Sequence, residues 1–283
     1  MSYLQAIILG IVQGVAEFLP ISSSGHLVLF QTFFQMENYE ETQMLFSVLL
    51  HFGTLVAVCV YYWRDVWEMI REFFLGIRDL ARPDRRGKTP PPLARRMVML
   101  IIVATLPLFL VLPIKNWMET VFYNNMAVSI ALLVTGFLLF FSDRLARGHK
   151  GAKNATVVDA LVVGVAQAIG TIPGISRSGI TISAGMMRGL DRKFAVRFSF
   201  LMSLPAVLGA NILELADAVQ QGVPEGMAPK YIVGVLVAGV VGYFAIRLVN
   251  LLSDKGKFGM FAYYCWAVGL GSLIAGIVVP LFS

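Results

Sequence analysis

The chain has 283 residues, 57% of them hydrophobic and only 14% charged, with a mean hydropathy of +0.74. A soluble domain carries about 25% charged residues, so this composition excludes one and points to an integral membrane protein. The formal charge of +6 sits in loops between apolar runs, with no basic-aromatic surface module, which argues for a topology signal and against a nucleic-acid partner.

The first apolar run, residues 4–19, is short for a span and is broken by Pro20 and the Ser22-Ser23-Ser24-Gly25 run. It lacks a basic leading segment, so no cleavable signal is expected. A second short piece covers 26–36. Two short helices joined by a Ser/Gly turn predict a re-entrant hairpin, which is tolerated only where its turn is buried in protein or lines a cavity. Residues 44–63 make a full span. The polar stretch from Arg64 to Arg96 carries nine arginines and lysines, which makes it cytoplasmic. Its first part, WRDVWEMIREFFLGIRDL, has helical spacing suited to the membrane surface. Spans follow at 97–113 and 126–142, joined by an external connection. The loop 143–156 is basic and internal.

A second broken hairpin is predicted at 157–187, then spans at 198–215, 231–252 and 259–281, with an external loop at 216–230. Cys59 and Cys265 lie inside apolar runs and read as free buried thiols, not a disulfide framework.

The two hairpins echo each other. From Ala6 the chain reads AIILGIVQGVAEFLPISSSG, and from Ala160 it reads ALVVGVAQAIGTIPGISRSG. Without a gap, Gly10, Gln13, Ser22, Ser24 and Gly25 fall on Gly164, Gln167, Ser176, Ser178 and Gly179. FSVLLHFGTLVAV from Phe46 likewise resembles FSFLMSLPAVLGA from Phe198. The expected fold is therefore an all-α polytopic membrane protein in one membrane domain. It is an inverted-topology repeat of residues 1–142 and 157–283, each half a re-entrant hairpin plus three transmembrane helices. Broken helices meeting near the midplane are the layout of secondary transporters, so chemistry must decide the function.

The turns present that chemistry. Ser22, Ser23, Ser24 and Gly25 open one helix; Ser176, Arg177, Ser178 and Gly179 open the other. Helix N-termini, serine hydroxyls and close-approaching glycine backbone suit a phosphate, and Arg177 adds a planar charge matched to its oxygens. Capping accounts for serines, but not for an arginine at a membrane-buried turn. Gln13 and Glu17 share one face at i, i+4; Ser23 and His26 stand at i, i+3. A hydroxyl, a carboxylate, an imidazole and a cation form the set needed for nucleophilic displacement at phosphorus, with Ser23 attacking and His26 or Glu17 as its base. Direct attack by water is the rival. His51, in the first span, has a weaker case as a cavity-lining residue, and His149 is a loop residue.

QGVAE followed by FLPISSSGH, with a distal PGISRSG, resembles the undecaprenyl-diphosphate phosphatase family, bacterial membrane enzymes also called bacitracin-resistance proteins. The resemblance covers essentially the whole chain. The family's acidic motif falls on Gln13 and Glu17, its serine-histidine motif on Ser22, Ser23 and His26, and its arginine motif on Ser176, Arg177 and Ser178, with a hydroxyl position at Thr181. It implies hydrolysis of undecaprenyl diphosphate in the bacterial plasma membrane, with the site open to the outer face. It also implies a divalent cation, Mg²⁺ or Ca²⁺, for which the sequence shows no ligand spacing. Gln13 removes one carboxylate from any two-acid metal site. A homodimer is compatible with the sequence. The alternative function is a transporter or flippase that binds polyprenyl phosphate lipids without cleaving them; the carboxylate and imidazole favour the enzyme.

Overall fold

The fold is described from a computed structural model, which describes residues 1–33, 39–80, 91–114, 121, 124–221 and 226–282. The sequence-based limits 34–36, 81–90, 115–120 and 222–225 fall outside these residues. Among the described residues the chain is helical, with a single isolated bridge between Lys150 and Leu190.

Eleven α-helices are described. In the first part of the chain they are α1 (Tyr3–Phe18), α2 (Ser23–Phe33), α3 (Tyr39–Tyr61), α4 (Trp63–Leu80), α5 (Leu93–Thr105) and α6 (Asn125–Leu145). After them come α7 (Val157–Ile169), α8 (Arg177–Met187), α9 (Arg192–Gln221), α10 (Ala228–Asp254) and α11 (Met260–Phe282). Tight 3₁₀ turns at Leu106–Leu110 and Leu112–Ile114 prolong α5. Four helical stretches, Leu93–Ile114, Asn125–Leu145, Arg192–Ile212 and Ala228–Asp254, are long and apolar enough to cross a membrane. The α3–α4 pair counts as a fifth if it is taken as one broken span. The protein is an all-α polytopic membrane protein.

The predicted short helices are present, with the first turn tighter than expected: α2 begins at Ser23, not His26. Pro20 follows the end of α1, and Ser22 takes φ +70°, a left-handed value that a residue with a Cβ adopts only at a cost. α3 and α4 meet at Tyr62 with an 89° bend. α4 exposes Trp63, Trp67, Ile70, Phe74 and Ile77 at helical spacing, an apolar stripe suited to a membrane surface.

Close helix packing depends on small residues. On α1, a Cβ on Gly10 would lie 2.6 Å from the carbonyl of Gly234 on α10. On α7, a Cβ on Gly164 would lie 2.4 Å from the carbonyl of Ala104 on α5. These two glycines are equivalent in the sequence echo, so each hairpin rests its first helix against a span from the opposite half. Hydroxyl pairs tie helices together: Ser129 to Ser272 at 2.9 Å, and Ser142 to Ser183 at 2.8 Å.

Charged residues in and beside the basic segments pair with one another. Asp143 accepts from Arg192, Asp65 from Arg197, and Asp159 from both Lys150 and Arg188. Both cysteines are free, Cys265 being buried.

Candidate active site

The two turns interlock. Ser22 Oγ accepts the Gly25 N–H at 3.2 Å and lies 3.3 Å from Ser24 Oγ. Ser176 Oγ accepts the Gly179 N–H at 3.1 Å and lies 3.3 Å from Ser178 Oγ. The scaffold serines also reach across: Ser24 Oγ accepts the Gly174 N–H at 3.3 Å, and Ser178 Oγ donates to the Leu19 carbonyl at 3.3 Å. The N-termini of α2 and α8, with their positive dipole ends, are thus held side by side.

Against these turns lies Glu17, near the end of α1, its side chain only 5% exposed. One oxygen, Oε1, is ion-paired with Arg177. The other, Oε2, accepts from Ser23 Oγ at 2.9 Å and from Gln13 Nε2 at 3.0 Å, with His51 Nδ1 at 3.3 Å. Gln13 Nε2 is also 2.9 Å from His51 Nδ1. Carboxylates buried at this depth need such partners, because an unpaired charge there costs several kcal/mol. Among the described residues, the remaining N–H donors of Arg177 bond nothing, which leaves the fork open to an anion. Glu17, Arg177, Ser178, Ser199, Phe200 and Ser203 line a small cleft at this point.

A hydroxyl bonded to a carboxylate, beside an arginine and two helix N-termini, is a set of groups suited to a phosphate. The family model described as bacitracin resistance protein BacA matches residues 6–271. The chain belongs to the BacA family. It is 41% identical to the undecaprenyl-diphosphatase of Halothermothrix orenii over 279 residues, 98% of this chain and 100% of the relative. It is 42% identical to the undecaprenyl-diphosphatase of Treponema denticola, covering 96% of each chain. The protein of the same name from Methanosphaera stadtmanae is 38% identical over 98% of this chain and 99% of its own.

Within this BacA-family chain the predicted residues divide into groups. Gln13, Glu17, Ser23 and Arg177 converge on one carboxylate. Ser22, Ser24, Gly25, Ser176, Ser178 and Gly179 build the two turns. Thr181 bonds elsewhere than Glu17: its hydroxyl donates to the Arg177 carbonyl at 2.8 Å and lies 2.6 Å from Ser199 Oγ. It therefore braces the first turn of α8 against α9. His26 stands apart from the Ser23–Glu17 bond. Its Nδ1 is 2.7 Å from the Ser22 carbonyl, so Nδ1 carries the proton. Its Nε2 faces the Tyr264 hydroxyl at 2.8 Å.

Sequence reasoning ranked His51 low and did not single out Ser199 or Tyr264. The one available signal was the second echo, which sets Ser47 and His51 on Ser199 and Ser203.

Glu17 is the single carboxylate of the cluster, and no group of three or more His, Cys, Asp or Glu among the described residues is placed to hold a metal. Magnesium and calcium ask for about six or more oxygen ligands, whereas the Glu17 oxygens already serve Arg177, Ser23 and Gln13. The donor set does not fit a divalent cation held by the protein alone.

Proposed function

We propose that this chain hydrolyses undecaprenyl diphosphate to undecaprenyl phosphate and inorganic phosphate, recycling the lipid carrier of cell-wall synthesis. One observation carries the reading: Ser23 Oγ donates at 2.9 Å to a buried carboxylate whose other oxygen is held by Arg177. The diphosphate lies across the N-termini of α2 and α8, with the free N–H donors of Arg177 on its terminal phosphoryl oxygens. Ser23 Oγ attacks the terminal phosphorus while its proton passes to Glu17 Oε2. The bridging oxygen leaves on the lipid phosphate with the bonding electron pair. Water then cleaves the Ser23–phosphate bond, restoring the serine hydroxyl and freeing inorganic phosphate. Of the two bases weighed for Ser23, Glu17 is the one within hydrogen-bond reach.

The same reading takes the chain as two inverted halves, residues 1–142 and 157–283, each with a re-entrant hairpin. The matched bonds of Ser22 and Ser176, and the crossed seating of Gly10 and Gly164, support it. The hairpin of α1 and α2 enters from the outer face of the plasma membrane, where the cleft receives its polyprenyl substrate. Any divalent cation arrives on the substrate's phosphates.

That internal symmetry also favours a second reading, movement of polyprenyl phosphate across the bilayer. Purified protein given undecaprenyl diphosphate separates the two. Release of inorganic phosphate supports hydrolysis; binding without release supports carriage alone.

A further inference from the structure

We propose that His51 is a positioning residue for this hydrolysis: through the Gln13 amide it fixes the Glu17 carboxylate beside Ser23, and it takes up the proton that Glu17 receives. The inference rests on the reading of Ser23 and Glu17 given above. His51 lies on α3, 34 residues from Glu17 in the chain, yet its Nδ1 is 3.3 Å from Glu17 Oε2, the same oxygen that Ser23 bonds. No other imidazole bonds this cluster among the described residues; His26 is committed to Ser22 and Tyr264.

Gln13 supplies the second observation. Its amide nitrogen lies within reach of both Glu17 Oε2 and His51 Nδ1, which makes Nδ1 the acceptor and places the imidazole proton on Nε2. Its amide oxygen is buried with no partner. A buried acceptor left unpaired costs roughly 1–3 kcal/mol, so it calls for an explanation. A half-turn of the amide presents that oxygen to a proton on Glu17 or on His51. The cluster thus has two bonding patterns, one before and one after Ser23 gives up its proton.

The step balances without a further reactant. The Ser23 O–H bond breaks, Glu17 Oε2 gains the proton, and His51 Nδ1 takes it on. The proton returns to the Ser23 oxygen when water cleaves the Ser23–phosphate bond, which resets the cluster for the next turnover.

The charged groups around His51 are Glu17 on α1 and, through it, Arg177 on α8. On α9, the residues beside Glu17 in the cleft are Ser199, Phe200 and Ser203, none of them charged. On α10, Tyr231 stacks on Phe46, one turn and more before His51.

Two measurements test this. In His51→Gln protein, kcat for undecaprenyl diphosphate falls about tenfold or more, while KM stays within roughly threefold. Wild-type kcat, or a rise in KM with kcat unchanged, overturns the proposal. The second measurement needs no turnover. The chain has only three histidines, so ¹⁵N-labelled imidazoles can be resolved in the folded full-length protein. The ¹⁵N shift of His51 Nδ1 marks a nitrogen that accepts a hydrogen bond in the wild type, and Glu17→Gln, which changes the partner of the Gln13 amide, displaces that shift. An unchanged shift overturns the coupling. If the wild type itself releases no phosphate, the proposed reaction fails, and the spectra still decide whether His51 and Glu17 are coupled.

Discussion

Ser22 and Ser176 make the same bond in two different turns: each hydroxyl accepts the backbone N–H three residues on, at 3.2 and 3.1 Å. The residue after each one departs from this sameness. Ser23 and Arg177 occupy equivalent places, and both reach Glu17, one on each oxygen. A shared scaffold therefore presents a hydroxyl from one side and a cation from the other.

Ser23→Ala removes the oxygen proposed to attack and leaves the α2 cap, which belongs to Ser22. Turnover falls at least a hundredfold, about 2.7 kcal/mol of barrier. The measurement is phosphate release from undecaprenyl diphosphate. Activity near the wild-type level would mean that water attacks directly, with Ser23 only a donor. Trapping phosphate on Ser23 would establish the covalent route.

Arg177→Lys keeps a positive charge but loses the planar fork. We expect turnover to drop about tenfold, equivalent to 1.4 kcal/mol. Arg177→Ala goes further, because it leaves Glu17 buried without its ion pair. It lowers stability by roughly 3–5 kcal/mol, read as a lower melting temperature in detergent. Arg177→Ala with wild-type turnover would remove this residue from the site.

Gly10→Val and Gly164→Val should fail alike. Each places a Cβ inside the contact distance of a facing carbonyl, 2.6 Å and 2.4 Å away, on helices that cannot separate without opening the bundle. Melting temperatures or detergent extraction yields would fall for both. A tolerated Gly164→Val beside a failed Gly10→Val would break the equivalence of the two hairpins.

Orientation is tested by single-cysteine labelling from outside intact cells. Asn124, at the start of α6, becomes labelled, and Lys153, between α6 and α7, does not. The opposite pattern would turn the cleft to the cytoplasm.

Much of the scaffold was legible in the sequence because it is local. Ser, Gly and Pro at the turns break helices by rules that act over a few residues, and the echo between Ala6 and Ala160 repeats those rules. Gln13 and Glu17 lie one helical turn apart, so their shared face followed from spacing alone. The partners of Glu17 did not. His51 comes from 34 residues away, in a span whose other side chains give no periodic cue, and Tyr264 reaches His26 across 238 residues. Ser23 and His26 at i, i+3 suggested a pair, but the left-handed backbone at Ser22 turns the imidazole to the Ser22 carbonyl and leaves Ser23 to Glu17. The right angle at Tyr62 carries no proline or glycine. The change from an apolar span to an amphipathic stripe foretold it.

The crossed seating of α1 on α10 and of α7 on α5 bears on how such a chain can be divided. A polypeptide ending after α6 would hold a hairpin whose glycine-lined partner lies on the missing piece, and the remainder would have the same deficit. Neither fragment can bury its own α1 or α7 face, so each should be lost to proteolysis when made alone. Made together in one cell, they complete each other's grooves. On the proposed inverted repeat, an ancestor encoding a single half would have needed two oppositely inserted copies of its product, and fusing them into one chain would have freed the two turns to diverge, one keeping serine and the other taking arginine.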